Sequence, residues 1–114
     1  MALTNILKAR ERENRRYFEN YLTYAKEAKR IAEELLKRVR VYLFGSVVRG
    51  DFTPSSDIDL LIVSRNMPKS LGERAKIKAK IYRRIGVFSP FEIHMVNELE
   101  LEWYRTFIKK MVVV

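Results

Sequence analysis

Hydrophobic residues in the first third of the chain recur every three or four positions, which predicts helix. Residues 4 to about 40 contain no proline or glycine, and the apolar positions form one continuous stripe along a helical face. We therefore expect a long N-terminal helix within a helical segment over residues 1–40. A helix of this length without internal caps is also typical of packing against a second chain, so a homo-oligomer is one expectation. The stripe consists of Phe18, Tyr21, Leu22, Ala25, Ala28, Ile31, Ala32, Leu35, Leu36 and Val39.

The middle of the chain contains two short apolar runs separated by a loop. Residues 39–44 form a β-rich run that closes on Gly45 and Ser46. Residues 58–63 form a continuous apolar strand of the kind that is covered on both faces. Gly-Asp and Thr-Pro pairs indicate a loop between the two strands, with a short helical turn expected just after Ser46.

A helix and a further strand are predicted in the next part of the chain. The sequence Ser-Leu-Gly-Glu at residues 70–73 matches a capping box, and an apolar stripe follows it as far as Gly86. This pattern predicts a helix over residues 71–85. Apolar and polar residues then alternate over residues 90–96, which predicts a half-buried strand.

The last segment begins with a second helix-start signal. Asn97 is followed three residues later by Glu100, which again matches a capping box. The final residues 111–114, MVVV, are either a short strand or an apolar tail. The buried face of the last helix is expected to consist of Leu99, Trp103, Phe107 and Met111.

The order of these elements indicates one α/β or α+β domain over residues 1–114. Its parts are the helical segment 1–40, a core over residues 41–96, and a C-terminal helix and tail over residues 97–114. With 114 residues, of which 47% are hydrophobic, the chain has enough apolar material for a single core. The sequence contains no cysteine, which favours a reducing cytoplasm. Its apolar runs are far shorter than the roughly 20 residues needed to cross a bilayer, so no membrane contact is expected.

The charge balance is strongly positive. Twenty-three Lys and Arg against fourteen Asp and Glu give a formal net charge of +9, which favours polyanionic partners such as nucleotides or nucleic acid. Lys, Arg and Glu also dominate in proteins adapted to high temperature, so a thermophilic surface is the alternative explanation.

Two carboxylates open the second predicted strand. Because side chains alternate across a strand, Asp57 and Asp59 point to the same side, about 7 Å apart along the backbone. Two like charges repel, and Mg²⁺, which takes carboxylate and phosphate oxygens, is the simplest compensation. Glu92, on the polar side of the next strand, is the candidate for the third carboxylate of a two-metal site.

The Gly45–Ser46 pair predicts a phosphate site next to these carboxylates. Glycine lets the backbone approach a phosphate closely, and the Ser46 hydroxyl and the following amides can donate to its oxygens. Arg49 is within reach of a phosphate, although an exposed loop arginine is an equal alternative. In-line attack on a nucleoside triphosphate is the chemistry that this combination suits.

The stretch FGSVVRGDFTPSSDIDLLIV, residues 44–63, resembles the GSx10DxD signature of the DNA polymerase beta-like nucleotidyltransferase superfamily. The small size resembles its minimal nucleotidyltransferases, of the HEPN/MNT antitoxin type. The resemblance covers residues 41–96 and implies a short mixed sheet flanked by helices.

The resemblance also implies roles for individual residues. Gly45 and Ser46 would hold the triphosphate, and Asp57 and Asp59 would bind the metals. Glu92 would replace a third carboxylate that is more often aspartate. Ser56 matches the serine before the first aspartate, although a local turn contact explains it equally well.

The implied activity is Mg²⁺-dependent transfer of AMP from ATP to a protein hydroxyl, in the antitoxin branch a tyrosine of a helical HEPN-type toxin. Two other hypotheses stay open. One is a catalytically idle module that binds nucleotide or inhibits its partner by occlusion, and the other is a basic nucleic-acid-binding protein. His94 shares the polar side of its strand with Glu92; a hydrogen-bonded structural histidine is favoured over a role beside the nucleotide.

Overall fold

Residues 2–114, which the computed structural model describes, form five helices and four strands. The strands make one mixed sheet in the order β3-β2-β1-β4. β1 runs antiparallel to β2 and β4, and β2 runs parallel to β3. None of the helices in this part of the chain is long and apolar enough to cross a membrane. In chain order the elements are α1 (Ala2–Glu19), α2 (Tyr21–Leu36), β1 (Arg40–Phe44), α3 (Ser46–Arg49), β2 (Ile58–Val63), α4 (Leu71–Ile85), β3 (Phe91–Val96), α5 (Glu98–Arg105) and β4 (Val112–Val113).

The sheet separates the interior into two clusters of side chains. On one face, alternate strand residues pack with α2 and α4 in the larger cluster. On the other face, Leu61, Val63 and Val96 pack with Leu101 of α5. β2 is covered on both faces, as its continuous apolar run predicts. The mixed sheet and its flanking helices confirm the fold class expected from the sequence.

The N-terminal helical segment is divided in two at Asn20. The Asn20 backbone leaves helical values, with φ −126° and ψ 28°, and its side-chain amide donates to the Arg16 carbonyl. This local hydrogen bond competes with continued helix, as asparagine side chains often do. The second half of α1 is anchored to the rest of the domain: the Asn14 amide donates to the Pro54 carbonyl at 3.2 Å, Phe18 is buried and stacks on Phe52 at 4.9 Å, and the Tyr17 hydroxyl donates to the Ile85 carbonyl at 3.0 Å.

The helix α4 begins and ends where the sequence signals predict. The Ser70 hydroxyl accepts a hydrogen bond from the Glu73 amide at 3.3 Å. At the other end, Gly86 adopts φ 128° and its amide donates to the Tyr82 carbonyl. A side chain at Gly86 would collide with the Tyr17 hydroxyl, so α1 packs closely where α4 ends.

The buried face predicted for the last helix is wrong. The capping box of Asn97 and Glu100 forms, but α5 ends at Arg105 and buries Leu101 instead. Beyond Arg105 the chain turns, and Val112 and Val113 of the MVVV segment form the short strand β4 that pairs with β1. Three of the predicted core residues, Leu99, Trp103 and Phe107, are 79%, 62% and 56% exposed.

A buried arginine joins α4 to β3 and α5. Arg74 is 8% exposed. Its guanidinium donates to the Pro68 carbonyl at 2.6 Å, to the Met95 carbonyl at 3.1 Å and to the Glu100 carboxylate at 2.9 Å. The hydrogen bond from the Asn97 amide, and then the Arg74 guanidinium, hold the pKa of Glu100 below its ordinary value of 4.5.

We expect the Glu100→Gln variant to lose about 1 kcal/mol of unfolding free energy at pH 7, because one charge-assisted pair to Arg74 is removed. A carboxylate with a lowered pKa stabilises the fold above its ordinary pKa of 4.5, and this contribution is lost as pH falls through the folded-state pKa. The deficit should therefore shrink between pH 7 and pH 3 in urea unfolding. Glu73→Gln, which affects only an exposed pair with Lys76, is the control. An equal deficit at both pH values would contradict this account.

Candidate active site

The strand pairing brings the predicted site residues to one edge of the sheet. Because β1 and β2 are antiparallel, the end of β1 lies beside the beginning of β2, and the parallel β3 begins at the same edge. A cleft of about 560 Å³ opens there. All seven residues singled out from the sequence line it, and their functional roles stay predictions: Gly45, Ser46, Arg49, Ser56, Asp57, Asp59 and Glu92.

The three carboxylates face this cleft from two adjacent strands. Asp59 and Glu92 are direct partners in the parallel register of β2 and β3, and Asp57 lies just before β2. Partial desolvation of its half-exposed carboxylate raises the pKa of Glu92 and the neighbouring His94 lowers it, while the nearby carboxylates of Asp59 and Asp57 raise it further. This mutual repulsion between oxygen donors is what a bound divalent cation would relieve, so the donor set fits Mg²⁺.

Gly45 forms the sharp connection between β1 and α3. Its φ of 79° is a conformation that favours glycine, and its carbonyl accepts the amides of Val48 and Arg49, each at 3.1 Å. A Cβ atom at this position would collide with Asp59 Oδ2. The backbone therefore approaches the carboxylate more closely than any other residue would allow.

Ser56 and Arg49 have local partners within the cleft wall. The Ser56 hydroxyl accepts a hydrogen bond from the Thr53 amide at 2.9 Å, which is the turn contact considered from the sequence. Arg49 is exposed and pairs with Asp51 at 3.2 Å. The Ser46 hydroxyl donates to the Asp57 carbonyl at 3.5 Å. These contacts hold the segment between Ser46 and Asp57 in place beside the carboxylates.

His94 lies closer to the carboxylates than sequence reasoning indicated. Its Nε2 is 3.3 Å from Asp59 Oδ1 and 3.8 Å from Glu92 Oε1. Ligand atoms of these three residues all lie within 4.8 Å of one another. The sequence indicated this position in one way: strand alternation places His94 on the same side of β3 as Glu92.

The segment after α5 completes the cleft. Phe107, Ile108, Lys109 and Lys110 line it, so Phe107 belongs to this wall and not to the core. Trp103 packs against Phe107 with ring centroids 4.5 Å apart. The two lysines add positive charge to the lining of the cleft, and a Lys-Lys pair just beyond a helix end was the only sequence signal for them.

Three comparisons with known proteins point to the same family. A family model described as a nucleotidyltransferase domain matches residues 25–113. A protein of Methanocaldococcus jannaschii, provisionally assigned as a protein adenylyltransferase, is 46% identical over 54 residues, which are 46% of this chain and 54% of that protein. The match therefore spans about half the length of this curated relative.

Two crystal structures, each provisionally assigned as a nucleotidyltransferase, share the fold. One is 33% identical with a TM-score of 0.55 and aligns over 78% of this chain and 95% of its own. The other, from Sulfolobus solfataricus, is 27% identical with a TM-score of 0.56 and aligns over 83% of this chain and 82% of its own.

Proposed function

This chain belongs to the nucleotidyltransferase domain family, and on that basis we propose that it transfers AMP from ATP to a protein hydroxyl group in a Mg²⁺-dependent reaction. One observation carries the proposal: Gly45, Ser46 and three carboxylates from two strands meet in a single cleft. A phosphate-binding turn beside a carboxylate cluster suits a substrate that brings both phosphate and metal.

The proposed roles follow from where each residue lies. Ser46 and the turn at Gly45 hold the triphosphate, and Lys109 and Lys110, which also line the cleft, favour its negative charge. Asp57, Asp59 and Glu92 would hold the magnesium ions. When bound, these ions neutralise the charge that develops on the phosphate oxygens and on the leaving pyrophosphate.

The transfer is a single displacement at phosphorus. The acceptor oxygen forms a bond to the α-phosphorus, the bond from the α-phosphorus to the bridging oxygen breaks, and pyrophosphate leaves with that electron pair. The hydroxyl proton passes to a carboxylate in the cleft. Glu92 is the proposed proton acceptor, because it lies in the cleft next to Asp59 in the register of β2 and β3.

The proposed acceptor belongs to a helical HEPN-type partner, with this chain as the antitoxin of the pair. The relative from Methanocaldococcus jannaschii is named for transfer to protein. At the rim of the cleft, Trp103 and Phe107 form an exposed aromatic pair, and exposed aromatic residues are enriched at protein interfaces. A protein acceptor is consistent with this rim.

The experiment that tests this function compares two labelled forms of ATP. The protein is incubated with Mg²⁺ and an extract of its own cells, with the label on either the α-phosphate or the γ-phosphate. Relative to the same extract without the added protein, we expect extra label in protein only from the α-position, and only without chelator. Extra γ-label that depends on the added protein would indicate phosphorylation, and it would overturn the proposal. Binding of ATP without any transfer would favour the idle, partner-occluding module.

A further inference from the structure

We propose that Tyr104 and His94 form a hydrogen-bonded relay that positions the Asp59 carboxylate in the cleft. In this relay the Tyr104 hydroxyl donates to His94 Nδ1, and His94 Nε2–H donates to Asp59 Oδ1. Both are positioning residues that act through Asp59. The proposal rests on the proposed function for its purpose, but its geometry is independent of any acceptor.

The distances define a continuous chain of contacts across three elements. Tyr104 Oη, on α5, lies 3.2 Å from His94 Nδ1 on β3. His94 Nε2 lies 3.3 Å from Asp59 Oδ1 on β2. Asp59 and His94 are 35 positions apart in the chain, and they meet because the parallel register pairs Asp59 with Glu92, two residues before His94.

The hydrogen-bond roles follow from the donor and acceptor inventory. A carboxylate only accepts, so the contact with Asp59 requires a proton on His94 Nε2. A neutral imidazole then leaves Nδ1 as an acceptor, and the tyrosine hydroxyl is the donor that fits it. Burial raises the pKa of Tyr104 above 10.0, which keeps that hydroxyl protonated.

Two aromatic rings pack against the imidazole of His94. The ring centroid of Phe44 lies 5.2 Å from that of His94, and the Tyr104 centroid lies 5.7 Å away. The His94 side chain is 22% exposed. Because packing already restrains the His94 ring, it loses little further conformational freedom when it hydrogen-bonds to Asp59, and it can therefore orient that carboxylate.

The relay has a direct consequence for the presentation of Asp59. Its Oδ1 is occupied by His94, and its Oδ2 lies against the backbone of Gly45, where no Cβ atom would fit. The relay thus restrains Oδ1, and the missing side chain at Gly45 leaves room for Oδ2. The carboxylate is thereby oriented beside the phosphate-binding turn.

The alternative is that His94 Nε2 binds a metal directly, because Asp59, Glu92 and His94 cluster closely enough to share an ion. The two arrangements differ in the position of one proton. Positioning requires Nε2–H, whereas metal ligation requires a bare Nε2 and moves the proton to Nδ1. His94 is the only histidine in the chain, so its ¹⁵N spectrum is free of overlap.

The first test is ¹⁵N NMR of His94 at alkaline pH, where imidazole is neutral. We expect the Nε2–H tautomer in the wild type, and the same tautomer after Mg²⁺ is added. Asp59→Ala and Tyr104→Phe should each weaken this preference, because each removes one partner of the ring. A wild-type ring in the Nδ1–H form, or one that changes to it with Mg²⁺, overturns the proposal.

The second test measures Mn²⁺ binding by electron paramagnetic resonance. Loss of a group that orients a metal ligand typically weakens metal binding about 10–100-fold, and we expect this for His94→Leu. His94→Gln should recover most of the affinity, because its side-chain amide offers an N–H at similar reach. Tyr104→Phe should weaken Mn²⁺ binding by about 10-fold, near the lower end of that range.

A matched control separates positioning from packing. Tyr42 lies on the same face of the sheet and its hydroxyl accepts from Arg40 at 3.1 Å, so Tyr42→Phe removes a hydroxyl without touching the relay. We expect Tyr42→Phe to bind Mn²⁺ with the same affinity as the wild type. Urea unfolding of each variant checks whether a change in affinity reflects a change in stability. Unchanged affinity in His94→Leu, or no recovery in His94→Gln, overturns the relay. If the tautomer and Mn²⁺ results hold but no AMP is transferred, the relay stands and the proposed function falls.

Discussion

The Asp59→Asn variant is expected to transfer AMP about 10³-fold more slowly than the wild type, because the charge that a cation needs is removed. Asparagine keeps the size of the side chain and an oxygen that can accept from His94, so the fold should persist. Asp59 also has three close neighbours. It pairs with Glu92 in the register of β2 and β3, it accepts a hydrogen bond from His94, and its Oδ2 lies close to Gly45. The measurement is the rate of α-label transfer at saturating ATP and Mg²⁺.

The matched control for this variant is Asp51→Asn. Asp51 lies in the loop between α3 and β2, is exposed and pairs with Arg49, and it does not line the cleft. Its loss should change the rate by less than about twofold, since exposed pairs contribute little. A slow Asp51→Asn variant would show that charge in the wider loop matters, and an active Asp59→Asn variant would show that the Asp59 carboxylate is not required.

The Gly45→Ala variant should lose nearly all transfer activity as well as stability. At φ 79° an alanine is strained, and its Cβ atom would collide with Asp59 Oδ2. Because the hydrogen bond from His94 holds the Asp59 carboxylate, either this carboxylate or the turn at Gly45 must move to relieve the collision. With ψ −151°, Gly45 lies in a region open almost only to glycine. We expect a loss of about 1–3 kcal/mol in unfolding free energy from this backbone conformation, and a loss of activity larger than this instability explains.

Gly50→Ala separates these two effects. Gly50 has a similar φ of 84°, but nothing lies within 4 Å of the position its Cβ would take. With ψ 8°, Gly50 lies in the left-handed helical region, whereas Gly45 has ψ −151°, a conformation open almost only to glycine. The stability of Gly50→Ala should fall by about 1–2 kcal/mol from its own left-handed backbone, while its transfer rate stays close to that of the wild type. Urea unfolding and the α-label assay are run on both variants. If both lose activity equally, strain alone explains the effect and the contact with Asp59 is unimportant.

Local signals predicted much of the secondary structure. The bounds of β2 and α4 follow the sequence closely, because an apolar run, a serine cap and a terminal glycine act within a few residues of one another. The alignment of Asp57 and Asp59 on one side of the chain is likewise local, since it depends only on the strand period. The candidate site residues could therefore be named before any packing was known.

The C-terminal region shows where local patterns fail. Leu99, Trp103 and Phe107 have helical spacing, yet all three are exposed. Spacing shows that residues share a helical face, but it does not show which face meets the sheet or where the helix stops. Both were decided by the return of the chain to pair β4 with β1.

By itself, the sequence determined the order of most elements, the Gly45–Ser46 turn and the spacing of the aspartates, because these depend on interactions between near neighbours. Only the tertiary structure decided that Glu92 lies beside Asp59, that His94 reaches the same carboxylate and that the 107–110 segment closes the cleft. The physical reason is register. A one-residue shift between β2 and β3 would turn Glu92 and His94 to the opposite face of the sheet, and the packing of the whole core sets that register.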